Sequence, residues 1–159
     1  MKRICIIGIS GKLGLLMAQH SLARGYAVTG LCRPESAGKL SSFGDSVTLL
    51  TGDTSDPATI ARAVAGCDGV LTVLVPWGTD GMATRTARAV LEHAEPGTRL
   101  VFSTGWHAAR DGRDRYGVIE TLTTRLIGIA VWLTGMADIA DHKRAAQLVY
   151  ASDRDWTVV

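Results

Sequence analysis

The chain has 159 residues, 47% of them hydrophobic and 20% charged, with a formal net charge of +2 at pH 7. That is material for one domain with a real core, residues 1–159, and not for two. So small and evenly spread a charge argues against a nucleic-acid surface, which clusters Lys and Arg.

Lys2 and Arg3 precede only a short apolar stretch that glycines interrupt, so no secretory leader is expected and the cytoplasm is the expected compartment. Arg3 to Ile7 reads as a first strand, and Gly8-Ile9-Ser10-Gly11-Lys12-Leu13-Gly14 as its turn into a helix over Lys12 to Arg24. Leu13, Leu16, Met17, His20, Leu22 and Ala23 form the expected apolar stripe of that helix, and Gly25 stands where a C-cap glycine belongs. A second strand over Ala27 to Cys32 and a short third over Val47 to Leu50 follow. Thr54-Ser55-Asp56-Pro57 opens the next helix, with Ile60, Ala63 and Val64 as its buried face and Gly66 as its stop.

Val70 to Val75 is a near-continuous apolar run, the pattern of a parallel strand covered on both faces. A helix over Thr79 to His93 leads to a fifth strand, Arg99 to Phe102, which ends at Ser103-Thr104-Gly105. A charged loop from Arg110 to Arg115 precedes helices over Val118 to Leu133 and Asp138 to Ala151, and Trp156 to Val159 reads as a sixth strand. The apolar stretch Leu126 to Ala137 is shorter than the ~20 residues of a membrane span, which leaves burial against the sheet or a subunit contact. Strands alternating with helices give a doubly wound α/β fold, a parallel Rossmann sheet in the order 3-2-1-4-5-6 with helices on both faces. A ligand then lies at the carboxyl ends of the strands.

The glycine loop is built for a dinucleotide pyrophosphate. Gly8 allows the tight turn, Gly11 lets backbone approach a phosphate, and Gly14 lets helix and strand pack closely, while the helix start offers unpaired N–H groups. Where an NAD-selective site carries a carboxylate after the second strand, this chain has Leu31-Cys32-Arg33. Arg33, with Lys12 in the loop, can meet a 2′-phosphate, so NADP(H) is favoured over NAD(H). Gly52-Asp53-Thr54 stands on the adenine side, and Val75-Pro76-Trp77 closes the fourth strand where ribose or nicotinamide passes; Trp77 serves equally as a packed aromatic.

Cys5, Cys32 and Cys67 indicate neither a disulfide framework nor a zinc site, and the four histidines show no metal spacing, so no metal is expected. Cys32 is either a structural thiol or a cofactor contact.

Together these residues resemble the atypical short-chain dehydrogenase/reductase group, which includes biliverdin-IXβ and flavin reductase-like enzymes and nitrogen metabolite repression regulator-like proteins. The likeness rests on Gly8, Gly11 and Gly14, on Arg33, Gly52-Asp53, Val75-Pro76 and Ser103-Thr104, and on the closing Asp155-Trp156-Thr157-Val158-Val159. The resemblance implies that Gly8, Ser10, Gly11, Lys12, Leu13, Gly14 and Arg33 hold the cofactor. It places Asp53 and Thr54 beside adenine, and Val75, Pro76 and Ser103 beside nicotinamide. The wider superfamily carries a Tyr four residues before a Lys; here Lys143 takes the Lys position, as a cofactor contact or a solvated cation, and Ile139 stands in the Tyr position. Relatives continue past a segment like Asp155 to Val159, so the substrate region at the C-terminal end is expected to be short or missing.

Two functions follow as expectations. One is a small NADPH-dependent reductase in which the protein positions a hydride donor, with Ser103 or Thr104 bonding a substrate carbonyl and His107 supplying a proton. The other is a non-enzymatic NADP(H) sensor acting through a regulatory protein partner. A small-molecule substrate and a homodimer fit the first; neither nucleic acid nor membrane is an expected partner.

Overall fold

The computed structural model describes residues 1–74, 81–104, 110, 117–134 and 138–159. Strands β1 (Arg3–Ile7), β2 (Ala27–Cys32), β3 (Val47–Thr51), β4 (Gly69–Thr72), β5 (Arg99–Phe102) and β6 (Trp156–Val158) form one sheet. Its order is β3-β2-β1-β4-β5-β6, and all neighbours run parallel. The helices are α1 (Lys12–Ala23), α2 (Pro57–Val64), α3 (Met82–His93), α4 (Val118–Leu133) and α5 (Ile139–Tyr150). The chain leaves the β3 edge and re-enters beside β1 as β4, and at that reversal right-handed crossovers change face.

Alternation along each strand feeds two cores. Cys5, Ile7, Leu31, Val70, Leu100 and Phe102 pack against α2, α3 and α5 through Ile60, Val64, Ala87, Val90 and Val149. Ile6, Val28, Cys32 and Val47 point the other way, towards Ala18 of α1 and Leu40. Full burial of an Ile, Leu or Val side chain contributes about 1.5–3 kcal/mol, so these two layers carry the stability.

Three readings need correction. Helix α1 buries Gly14, Ala18 and Ser21, while Leu13 and Leu16 are 48% and 53% exposed and His20 and Ala23 also face out. Close approach to the sheet selects small residues for the inner face, so the large ones are pushed to its margin. Between β2 and β3, where the sequence predicted no element, Pro34–Ser46 winds as 3-10 turns that bury Ser36 and Leu40 and break at Gly44, φ +49. Among the described residues at the apolar end of α4, Leu126, Ile127, Ile129 and Leu133 are exposed and not buried against the sheet.

Other boundaries move by a residue or two: β3 runs on to Thr51 and β4 ends at Thr72. Among the described residues, no helix is long and apolar enough to cross a membrane.

Candidate functional site

The central strand β1 ends at Ile7, and Gly8 turns the chain with φ +87. A Cβ on Gly8 would run into the Val73 carbonyl, and one on Gly14 would stand 2.7 Å from Ile9 Cα and closer still to the Gly8 carbonyl. Gly11 differs. Its Cβ would meet only the Gly8 carbonyl, at 3.4 Å, an ordinary contact. The fold therefore demands glycine at 8 and 14 but not at 11, where the space left by a missing side chain is open to a ligand.

Backbone hydrogen bonds fasten this loop to β2. The N–H groups of Gly8 and Ile9 donate to the Leu31 carbonyl at 2.9 and 3.3 Å, Gly11 N–H donates to the Gly8 carbonyl at 3.1 Å, and Gly52 N–H donates to the Cys32 carbonyl at 3.0 Å. Burial first and Glu35 second push the pKa of the Cys32 thiol up, and the neighbouring Ser10 side chain partly offsets this. All three cysteines are free and buried.

The start of α1 is the site's main electrostatic feature. Its first helical bond runs from Leu15 N–H to the Gly11 carbonyl at 2.9 Å, which leaves the N–H groups of Lys12, Leu13 and Gly14 ahead of it. No side chain caps it, and its first turn holds no acidic residue. Helices α2, α3 and α5 differ. Asp56 caps α2, accepting from Thr59 N–H at 2.8 Å, and the Thr59 side chain first and this N–H second hold its carboxyl below the ordinary range. Asp138 caps α5, accepting from Asp141 N–H at 3.2 Å. Asp141, itself buried, accepts from the N–H groups of Ala83 and Thr84 at the start of α3, at 2.7 and 3.2 Å, and from the Thr84 hydroxyl. An uncapped, partly positive helix end beside an open glycine and the exposed Lys12 fits a pyrophosphate.

Arg33 follows β2 on the surface, its Nε 3.2 Å from Glu35 Oε1, both side chains about two thirds exposed. Such a pair is worth about 0–1 kcal/mol, so an incoming phosphate can take the guanidinium over. Asp53 Oδ1 is occupied by the Ser55 N–H and hydroxyl, each at 2.8 Å, so this carboxylate shapes its own turn. Thr54 is buried; its carbonyl accepts from Thr86 at 2.7 Å and its hydroxyl faces Met82 Sδ at 3.7 Å. The Thr54 side chain thus looks into the protein.

At the ends of β4 and β5, Ser103 N–H donates to the Thr72 carbonyl at 2.9 Å, and Thr104 N–H to the Val159 carbonyl at 2.7 Å. The Thr104 hydroxyl also reaches that carbonyl, at 3.4 Å. Ser103, Thr104, Thr72 and His142 line one small cavity of about 20 Å³ between the sheet and helices α3 and α5, room for a single water. The buried Thr72 hydroxyl has no hydrogen-bond partner among the described residues. Burial pushes the His142 pKa below its ordinary 6.5, and the nearby Asp141 and Asp138 partly offset this.

Lys143 is exposed on α5. Val75, Pro76, Trp77 and His107 lie outside the described residues. Sequence reasoning missed Thr72, Asp141 and His142. Each is local to an ordinary strand or helix pattern, and only the packing of α5 on α3 and the sheet brings them to the site.

A family profile described as NAD(P)H-binding matches residues 8–159. An isoflavone reductase homolog of Zea mays is 38% identical over 79 residues, 45% of this chain and 26% of that protein. Curated relatives are matched over 11% to 35% of their own length, so the chain spans a minor part of each. A short-chain dehydrogenase/reductase from Veillonella parvula DSM 2008, solved in complex with NADP, superimposes with a TM-score of 0.71 at 15% identity, over 99% of this chain and 67% of that one. Vestitone reductase from alfalfa (Medicago sativa L.) superimposes with a TM-score of 0.69 at 18% identity, over 99% and 56%.

Proposed function

The chain belongs to the NAD(P)H-binding family, and on that premise we propose that it is a small cytoplasmic NADPH-dependent reductase of the atypical short-chain group. The observation that carries the reading is the uncapped start of α1 beside Gly11, with Lys12 opening that helix and Arg33 following β2. In this reading the N–H groups of Lys12 and Leu13 hold the pyrophosphate. Arg33 leaves Glu35 for the adenosine 2′-phosphate, a planar fork of donors meeting a dianion.

Bound NADPH supplies the hydride. The chain's own part is orientation: the ends of β4 and β5 hold the nicotinamide side, and the Ser103 hydroxyl donates to the carbonyl of a small-molecule acceptor. Thr104, whose hydroxyl is spent on the Val159 carbonyl, braces that edge. With Ile139 four residues before Lys143, no Tyr stands at the usual proton-donor position, so acceptors that need little protein acid catalysis, such as flavins and quinones, suit the site best.

Calorimetric titration of the chain and of Arg33→Ala with NADPH and NADH tests the cofactor half, and NADPH oxidation with flavin, quinone and aldehyde acceptors tests turnover. Tight NADPH binding weakened by the variant, together with turnover, supports the proposal. Binding without turnover on any acceptor would replace the reductase with a sensor, and absence of binding would remove both.

A further inference from the structure

Behind the ends of β4 and β5 the fold gathers three polar side chains around one small space. Thr72, the last residue of β4, and His142 of α5 are 7% and 5% exposed, and Ser103, just past β5, is half-buried. All three line the cavity of about 20 Å³, whose remaining wall is mostly apolar, with Leu74, Ala87, Phe102 and Val149. A buried hydroxyl such as that of Thr72, with no partner among the described residues, is costly unless water reaches it. The space fits one water, and such a water takes about two to four polar partners. Thr72, Ser103 and His142 supply three. The Thr104 hydroxyl, also in the wall, already reaches the Val159 carbonyl.

Helical geometry selects the histidine. Successive residues of α5 point about 100° apart, so with His142 turned in, Lys143 is turned out, and it is exposed. Among the described residues of the cavity wall, His142 is the group that titrates near neutral pH.

We propose that Thr72 and His142 hold one water behind Ser103, and that His142, through this water, replaces the proton that Ser103 gives to a carbonyl acceptor; the second half rests on the reductase reading above. The proton count closes. The acceptor oxygen takes the proton of the Ser103 hydroxyl, Ser103 takes one from the water, and the water takes one from the protonated ring. Each O–H broken is remade, and no electron leaves the chain's own groups. When the product departs, bulk water returns a proton to the ring along the same path. His142 acts through the water and Ser103, without touching the acceptor.

Few charges face the ring. β4, β5 and α3 bring no described charged side chain to the cavity wall, and α4, which packs on α5, lends that wall no described residue. The nearby carboxylates are Asp141, engaged with the start of α3, and Asp138, paired with Arg144 at 2.7 Å. Burial outweighs both and holds the ring's pKa below its ordinary 6.5, so the protonated ring is scarce at neutral pH and grows as pH falls.

The unliganded chain tests the water half. A high-resolution crystal structure is expected to show one water about 3 Å from the Thr72 and Ser103 hydroxyls and a His142 ring nitrogen. Thr72→Val keeps the shape and removes a partner of that water, so by NMR titration the His142 pKa is expected to fall further. The relay is read with NADPH and an aldehyde. There kcat is expected to rise as pH falls below 6.5, by up to about tenfold per pH unit, with KM little changed. His142→Gln should lose that rise, and the nearly isosteric Thr72→Val should lose most of it, which keeps the test open if His142→Gln does not fold. A cavity without the water, or a His142 titration unmoved by Thr72→Val, would overturn the site. Aldehyde reduction whose pH profile survives His142→Gln would overturn the relay and leave the reductase reading standing. NADPH bound without turnover of any acceptor, or not bound at all by calorimetry, would remove that reading and the relay with it.

Discussion

Two alanine substitutions three residues apart separate what the glycine loop does for the fold from what it does for a ligand. At Gly14 the new Cβ would lie 2.7 Å from both Ile9 Cα and the Ile9 carbonyl oxygen, backbone atoms that cannot swing away, so α1 must retreat by several tenths of an ångström. Three backbone contacts at 2.7 Å or less put this overpacking in the upper part of the usual range, about 2–3 kcal/mol, and replacing a helical glycine by alanine returns about 1, for a net loss of about 1–2 kcal/mol. For a domain of this size that lowers Tm by about 2–8 °C. At Gly11 the Cβ meets one carbonyl at an ordinary 3.4 Å, so stability is expected to stay within about 0.5 kcal/mol.

Binding should divide the other way. A methyl group at position 11 occupies the approach to the pyrophosphate, and losing a hydrogen bond to a charged group costs about 1.5–3 kcal/mol, or about 10- to 100-fold in NADPH affinity. Denaturant melts and calorimetry on the two variants read both axes. Wild-type affinity in Gly11→Ala would refute the assignment of the loop, and undiminished stability in Gly14→Ala would refute the packing argument.

Three further outcomes follow from the same structure. Arg33→Ala is expected to weaken NADPH by about 10- to 100-fold and to leave NADH within about twofold, because only the former carries the 2′-phosphate; titration with both cofactors reads the difference. Asp141→Ala removes the acceptor for two N–H groups and a hydroxyl at the start of α3, and should cost about 2–4 kcal/mol by denaturant unfolding. His142 is held below its ordinary 6.5 by burial, so as pH falls the unfolded chain takes up the proton first. Its contribution is whole above pH 6.5 and is lost as pH drops from there through the folded-state value. His142→Gln should flatten that acid-side decline in a series of melts, and an unchanged slope would exclude the histidine as its source.

Much of the fold was legible because local and global signals agree. A near-continuous apolar run marked β4 as a strand covered on both faces, and the reversal between β3 and β4 followed from the handedness of crossovers. Asp56 was readable as a cap from Asp-Pro before an amphipathic run. The face of α1 was not, because amphipathicity counts large apolar residues, whereas the tight fit under the loop is made by Gly14, Ala18 and Ser21. The turns over Pro34–Ser46 follow no period, and the sequence offered only a polar, Ser-rich stretch. The proposed pyrophosphate half of the site is contiguous in sequence, so its glycine loop could be read there. The half around Thr72, Ser103 and His142 is assembled from β4, β5 and α5, so no spacing in the chain announces it.

The most direct test of the account is a crystal structure of the chain with NADPH. The pyrophosphate oxygens are expected about 3 Å from the N–H groups of Lys12 and Leu13, and the 2′-phosphate on the Arg33 guanidinium in place of Glu35. A dinucleotide lodged elsewhere, or one whose phosphates avoid the start of α1, would contradict it.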